Sequence, residues 1–333
     1  MKKAGKKRSR REFYTAVGFL LPNFLGFLVF AAGPVLFSLV VSFSNWNLER
    51  TVPFRFNFLE NYWILIRDKE FWLYFINTAY LMLGMPIAIC GSLFLAILLS
   101  QKLRGVIVFR TLFYLPCVTS GVALMILWKA LYNPDFGPVN VIISGILKHL
   151  KINELIVFMG GSELIPPKWL LSTKNLLGIS VEKISLTFSQ FGLGARDAII
   201  IMGIWVAIGG TNMILYIAAL SNVPKHLYEA AQIDGAGWWA SFKHVTWPQL
   251  APTTFFIVVM SFIGGLQGGF EQARVMTNGG PAGTTTTLTY YIYVKAFEEF
   301  QIGYASAISW VLFMIIFGIT LVNWKFGAKE LNY

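Results

Sequence analysis

Apolar residues gather in six long blocks, at about 14–43, 72–100, 106–131, 197–222, 252–272 and 303–326, with polar stretches between them. Crossing a hydrocarbon layer of ~30 Å takes roughly twenty apolar residues in a helix, and every block meets that length. Strands of a membrane barrel would show ten-residue runs of alternating polarity, and none occurs. The pattern therefore predicts an all-α polytopic membrane protein of six transmembrane helices. Pro22, Pro34, Pro86 and Pro116 fall inside these blocks, where neighbouring helices or water can re-satisfy the carbonyls that proline frees.

The loops set the orientation. Lys2, Lys3, Lys6, Lys7, Arg8, Arg10 and Arg11 precede the first block, and such a tail holds its end in the cytoplasm. Residues 1–13 are thus a basic cytoplasmic tail and 14–333 a transmembrane domain. The turn Gln101–Gly105, with Lys102 and Arg104, the segment 224–248 and the end from Lys325 to Tyr333 then fall on the cytoplasmic side. Outside lie 44–71, 132–196 and 273–302. The loop 132–196 is too long for a plain connection and is expected to carry structure of its own. Within it Val139–Leu150 is amphipathic, and Pro166-Pro167 interrupts the remainder.

Composition supports this class. Hydrophobic residues make up 56% and charged residues only 13%, at a mean hydropathy of +0.62, whereas soluble chains carry about a quarter charged residues. The net charge of +11 belongs with the tail and anionic lipid, not with nucleic acid. The first block is far longer than the 7–15 residues of a signal-peptide core and reads as a retained span. Cys90 and Cys117 lie in apolar blocks, and His149, His226 and His244 are the only histidines. Neither a disulfide nor a metal site is expected, and no catalytic cluster is visible.

One polar stretch differs from an ordinary loop: Pro224-Lys-His-Leu-Tyr-Glu-Ala-Ala-Gln-Ile-Asp-Gly-Ala, continuing to Val245-Thr-Trp-Pro248. Leu227, Ala230, Ala231 and Ile233 favour a short helix, and Gly235 supplies the turn. Trp238, Trp239 and Phe242 predict a second short amphipathic helix, with Pro248 where the fifth span begins. This knuckle suits either a soluble partner that needs close backbone approach or a lipid interface.

The stretch resembles the EAA loop of permease subunits in binding-protein-dependent ABC importers. Glu229, Ala230, Ala231, Gly235 and Pro248 match the signature at its spacing, while Val245 stands in place of Ile and Trp247 in place of Leu. Arg110–Pro116, Asn133-Pro-Asp-Phe-Gly137, Met276–Pro281 with Thr284–Thr287, Tyr290–Tyr293 and Gly303–Ala307 are similar to the carbohydrate and glycerol-phosphate branch, the larger maltose permease subunit included. The 137–196 loop is longer than in the short members of that branch. The resemblance implies the type I ABC importer permease fold, with the coupling helix between spans four and five. It implies a multi-pass subunit of the bacterial inner membrane that pairs with a second permease subunit and rests on two cytoplasmic ATPase subunits. An extracytoplasmic sugar-binding protein would deliver the solute. Glu229, Ala230, Ala231, Asp234, Gly235 and Pro248 are the expected ATPase-coupling residues. The sequence has no Gly-x-x-x-x-Gly-Lys-Ser/Thr phosphate loop, so the chain is expected to bind no cofactor, ATP and Mg being used by the partner ATPase.

Polar groups within spans are costly and face cavities or partners. Trp205, Asn212 and Tyr216 near Gly209-Gly210, and Ser261, Gln267 and Phe270 near Gly264, Gly265, Gly268 and Gly269, form the expected substrate site, since amides and aromatic faces suit sugars. The glycines serve equally well as close-packing positions. The expected solute is a sugar, an oligosaccharide before a monosaccharide, with glycerol phosphate as the alternative. A secondary transporter would need intramembrane charges, which the middles of the blocks lack.

Overall fold

The computed structural model describes residues 2–49, 53–101, 104–151, 154, 165–180 and 185–327, with the backbone alone for 2–11 and 326–327. The basic side chains of the tail, Lys102 and the end beyond 327 lie outside the described residues, as does much of 152–164. The tail backbone is helical from Lys2 and continues into the first span.

Among the described residues, five helical stretches are long and apolar enough to cross a membrane: Glu12–Ser42, Lys69–Ser100, Ala195–Asn222, Trp238–Gln267 and Ile302–Lys325. The expected third span, 106–131, is not one helix. Val106–Val118 and Gly121–Leu131 meet at 96°. The break falls at Thr119 and Ser120, both extended. There the Thr119 hydroxyl donates to the Pro116 carbonyl at 2.8 Å, closing the first helix with a side-chain hydrogen bond. The count is thus five spans, or six if the bent pair is one.

Two more expectations change. The fifth span begins not at 252 but with Trp238, because the second knuckle helix runs on through a π-turn, Phe242–Thr246, into Trp247–Gln267. The first span carries a similar π-turn, Leu28–Ala32. In both, the residue before a proline bonds five residues back, Gly33 to Leu28 and Trp247 to Phe242. Proline has no N–H to give, and its ring would strike the carbonyl four residues back. A wider turn ahead of Pro34 and Pro248 avoids that clash. Pro248 is therefore interior to a continuous helix and does not open one.

The described residues divide into two compact units. One takes 1–68 and 292–311, the other 69–291 and 312–333. In the first, the Asn61 amide donates to the carbonyls of Ser42 and Ser44, at 2.8 Å each. Trp310 donates its indole N–H to Ser38 at 3.2 Å, and Tyr304 its hydroxyl to Asp68 at 2.5 Å.

In the second unit, glycines bring the spans together. A Cβ on Gly84 would meet Ile200, and one on Gly91 would meet Ile208, so the second and fourth spans touch along both positions. A buried cluster of Leu95, Leu99, Met213, Tyr216, Leu250 and Ile257 closes one end. Another, with Met125, Tyr132, Trp169, Met202 and Met276, closes the other. The loop 132–196 does have structure of its own. It holds the helix Pro138–His149 and buried Trp169, whose indole N–H donates to Asn140 at 2.7 Å. It also contains two short antiparallel strands, Ile179–Ser180 and Ser185–Leu186, a small departure from all-α.

Candidate functional site

Two places carry the candidate chemistry, a surface knuckle and an internal cleft. The knuckle starts with the helix Lys225–Ile233. Its end is closed by a Schellman arrangement in which Gly235 donates to Gln232 at 3.0 Å and Ala236 to Ala231 at 2.8 Å. Gly235 has φ +75°, yet a Cβ there would meet nothing within 4 Å. Glycine is required here by the left-handed backbone, not by lack of space. Tyr228 and Thr246 join the two helices through a 3.0 Å hydroxyl contact. Glu229, Ala230, Asp234, Gly235 and Pro248 are exposed, and Ala231 is half-buried. The first helix thus offers a small-residue surface with carboxylates near it, while Pro248 stands beyond the π-turn on the long helix.

The cleft has a volume of about 340 Å³ and is walled by the second, fourth and fifth spans. Its surface is largely apolar, with Met82, Met85 and Ile204 among its walls, and its polar groups are Thr78, Asn212, Ser261, Gln272 and Thr287. None of the described residues that line it is charged. Such a site can donate and accept hydrogen bonds to neutral hydroxyls but offers an anion no counter-charge.

Helical phase explains which residues reach it. Ser261, Gly264, Gly265 and Gly268 follow the i, i+3, i+4, i+7 spacing of one face, and all four line the cleft. The two neighbouring glycines differ. A Cβ on Gly265 would lie 2.9 Å from Met82 Cγ, whereas one on Gly264 would meet nothing within 4 Å. Gly265 is a packing position, and Gly264 opens on space. The helix then stops at Gly268-Gly269, where Gly269 (φ +87°) leaves room for the Thr287 side chain against its Cα.

Thr287 arrives from a distant loop. The Asn77 amide donates to the Gly283 carbonyl at 2.8 Å and to that of Thr286 at 3.2 Å. The backbone N–H of Leu288 donates to Thr78 Oγ1 at 3.0 Å, and Thr289 to the Gly268 carbonyl at 2.8 Å. These bonds hold the buried threonine run against the break in the fifth span.

Of the six expected substrate residues, Asn212 and Ser261 line the cleft. The other four do not. Gln267 is exposed, because six positions from Ser261 is about 240° around a helix. Trp205 packs edge-on against Trp128, ring centres 5.5 Å apart. Tyr216 is wholly buried beside Met213 and Leu250, and Phe270 sits 6.0 Å from the Tyr290 ring. Thr78, Gln272 and Thr287 take their place, although the sequence pattern does not single them out. For Gln272 the signal is Gly268-Gly269, which ends one helix and resets the phase of the next turn.

A further buried group lies at the start of the fourth span. Tyr80 donates to Asp197 at 2.6 Å, and the Gly194 N–H donates to the other Asp197 oxygen at 3.2 Å. Arg196, equally buried, donates to the Ile179 carbonyl at 3.2 Å and lies over the Tyr80 ring at 4.9 Å. Leu176, Ile179 and Gly194 of the long loop are thereby tied to the second and fourth spans.

Comparison with known proteins gives the family and the fold. The family model described as binding-protein-dependent transport system inner membrane component matches residues 12–325. The lactose transport system permease protein LacF of Rhizobium radiobacter is 32% identical, covering 97% of this chain and 98% of its own. The probable ABC transporter permease protein YesP of Bacillus subtilis is 30% identical over 98% and 95%. For the sn-glycerol-3-phosphate transport system permease protein UgpA of Yersinia enterocolitica the identity is 27%, over 92% and 90%. Among solved structures, a chain of a bacterial ABC transporter involved in import of the acidic polysaccharide alginate superposes with a TM-score of 0.74. It is 20% identical, over 97% of this chain and 98% of that one, a likeness of fold.

Proposed function

The chain belongs to the family of binding-protein-dependent transport system inner membrane components, and on that footing we propose that it is a pore-forming permease subunit of an ATP-driven sugar importer. The observation that carries the reading is the end-to-end similarity to a lactose permease, at 32% identity over 97% of this chain. The cleft supports it independently. Its polar set of Thr78, Asn212, Ser261, Gln272 and Thr287 suits the hydroxyls of a sugar, and its apolar walls suit the faces of the ring. The glycerol-phosphate relatives make a phosphorylated solute the second reading. None of the described residues lining the cleft is a cation, which favours the neutral solute, since a buried anion needs a partner.

In this reading the termini and the knuckle are cytoplasmic, in a multi-pass inner-membrane chain. The surface around Glu229, Ala230 and Ala231 seats in a cleft of a partner ATPase, which binds ATP and Mg and carries out the hydrolysis. Its closure moves the knuckle, and the spans that line the cleft tilt with it. A second permease subunit completes the pore, and an extracytoplasmic binding protein supplies the sugar. The test is purification in mild detergent followed by reconstitution. Recovery of a second permease and an ATPase, with sugar uptake dependent on ATP, is expected. Solute transport by the chain alone, without ATP, would overturn the assignment.

A further inference from the structure

The knuckle's second helix carries an aromatic face that the coupling role leaves unused. Trp238, Trp239, Phe242 and Trp247 pack on one another with ring centres 5.5 to 6.4 Å apart. Stacking does not hide them, for Trp238 is 67% and Trp239 65% exposed. Exposed Lys243 lies within the same stretch.

Length says where this face lies. The helical run Trp238–Gln267 has 30 residues, about 45 Å at 1.5 Å per residue. The hydrocarbon layer takes about 30 Å of it and the two headgroup zones about 10–15 Å together, so the run reaches from one headgroup zone to the other. Each end then holds about four to five residues in a headgroup zone, and at the knuckle end these are Trp238 to Phe242. Two other spans end alike, on ends that the charge pattern assigns to the same side. Exposed Phe13 and Tyr14 follow Arg11 at the start of the first span, and exposed Trp324 precedes Lys325 at the end of the last. Amphipathic rings beside cations are the side chains that settle at a membrane–water boundary.

We infer that the aromatic face Trp238–Phe242 is seated in the lipid headgroup layer and sets the depth of the knuckle. The knuckle then has two differently occupied sides. The helix Lys225–Ile233 is left for a protein, and the aromatic stretch is held by lipid. Only the coupling consequence rests on the proposed function, because the lipid contact is a property of the chain itself.

The experiment reads tryptophan depth in nanodiscs of phosphatidylcholine and phosphatidylglycerol. Subtracting the emission of a Trp238→Phe/Trp239→Phe variant from that of the unmodified chain isolates these two rings. Lipids brominated high on the acyl chain should lower the difference signal about twofold, and aqueous iodide should leave it nearly unchanged. The same result is expected with the ATPase assembled. Quenching by iodide without quenching by bromolipid would overturn the inference, as would loss of bromolipid quenching on assembly, which would assign the face to the ATPase. Should the double variant fail to fold, Trp238→Phe alone supplies the subtraction. Neither arm requires ATP or sugar, so failure here and failure of the importer reading are distinguishable.

Discussion

Gly235 and Gly269 share a left-handed backbone, with φ of +75° and +87°, but stand in opposite surroundings. Around Gly235 a side chain would meet nothing within 4 Å, whereas at Gly269 the added carbon would run into Thr287. The first glycine closes a helix, its N–H donating to Gln232 and that of Ala236 to Ala231. The second accommodates a chain segment that arrives from eighteen residues on, in a loop anchored to Asn77 and Thr78. The knuckle is locally encoded and open, while the cleft and its surroundings are assembled from distant parts and crowded. Mutations should therefore harm folding in the cleft region and coupling in the knuckle.

The sharpest division comes at Asp197. Asp197→Ala would leave the buried Tyr80 hydroxyl and the Gly194 N–H without their acceptor, a loss of roughly 1–3 kcal/mol for each. Detergent-solubilised protein should unfold at a markedly lower temperature and be cleaved faster between 172 and 194. Stability equal to the unmodified chain would show that the loop is not held there. Next is Gly269→Ala, where the left-handed penalty and the collision with Thr287 together amount to about 3 kcal/mol. Gly235→Ala carries the backbone penalty alone, about 1 kcal/mol. Paired thermal-unfolding curves should separate the two glycines, and equal shifts would erase the comparison.

Function should divide the other way. Replacing Gly235 with a bulky residue should abolish sugar uptake while insertion and assembly survive, and unchanged uptake would remove the coupling role. Smaller effects are expected from Asn212→Ala and Gln272→Ala. Losing one hydrogen bond of about 1 kcal/mol corresponds to roughly a fivefold rise in the sugar concentration giving half-maximal uptake. Gln267→Ala should leave it unchanged. If Gln267 proved the more sensitive of the two glutamines, this cleft would not be the sugar path.

The same contrast explains which residues are legible in the chain. Glu229, Ala230, Ala231 and Gly235 stand out through their resemblance to the EAA signature, and the helix and turn that carry them are written within a dozen residues. Asn212 and Ser261 stand out as polar groups inside apolar blocks. Gln267 is misplaced because amide character does not reveal that it stands about 240° round the helix from Ser261, and Trp205 because aromatic character does not say which helix face a ring occupies. Thr287 draws no attention as a lining residue, since a threonine run after a Gly-Gly-Pro turn has no periodicity of its own. Arg196 and Asp197 sit at the edge of an apolar block, where charges usually mean solvent. Here a folded loop covers them.

By itself, the sequence determined that this is a helical membrane chain with a capped knuckle between its fourth and fifth apolar blocks. Hydropathy, block length and turn chemistry act over short separations, so composition and spacing are enough to state them. Only the tertiary structure decided where helices break, at Thr119-Ser120 and Gly268-Gly269, and which side chains share the cleft. The shared cleft depends on contacts between residues about two hundred positions apart, such as Asn77 with Thr286, and no local pattern records which distant carbonyl an amide will find.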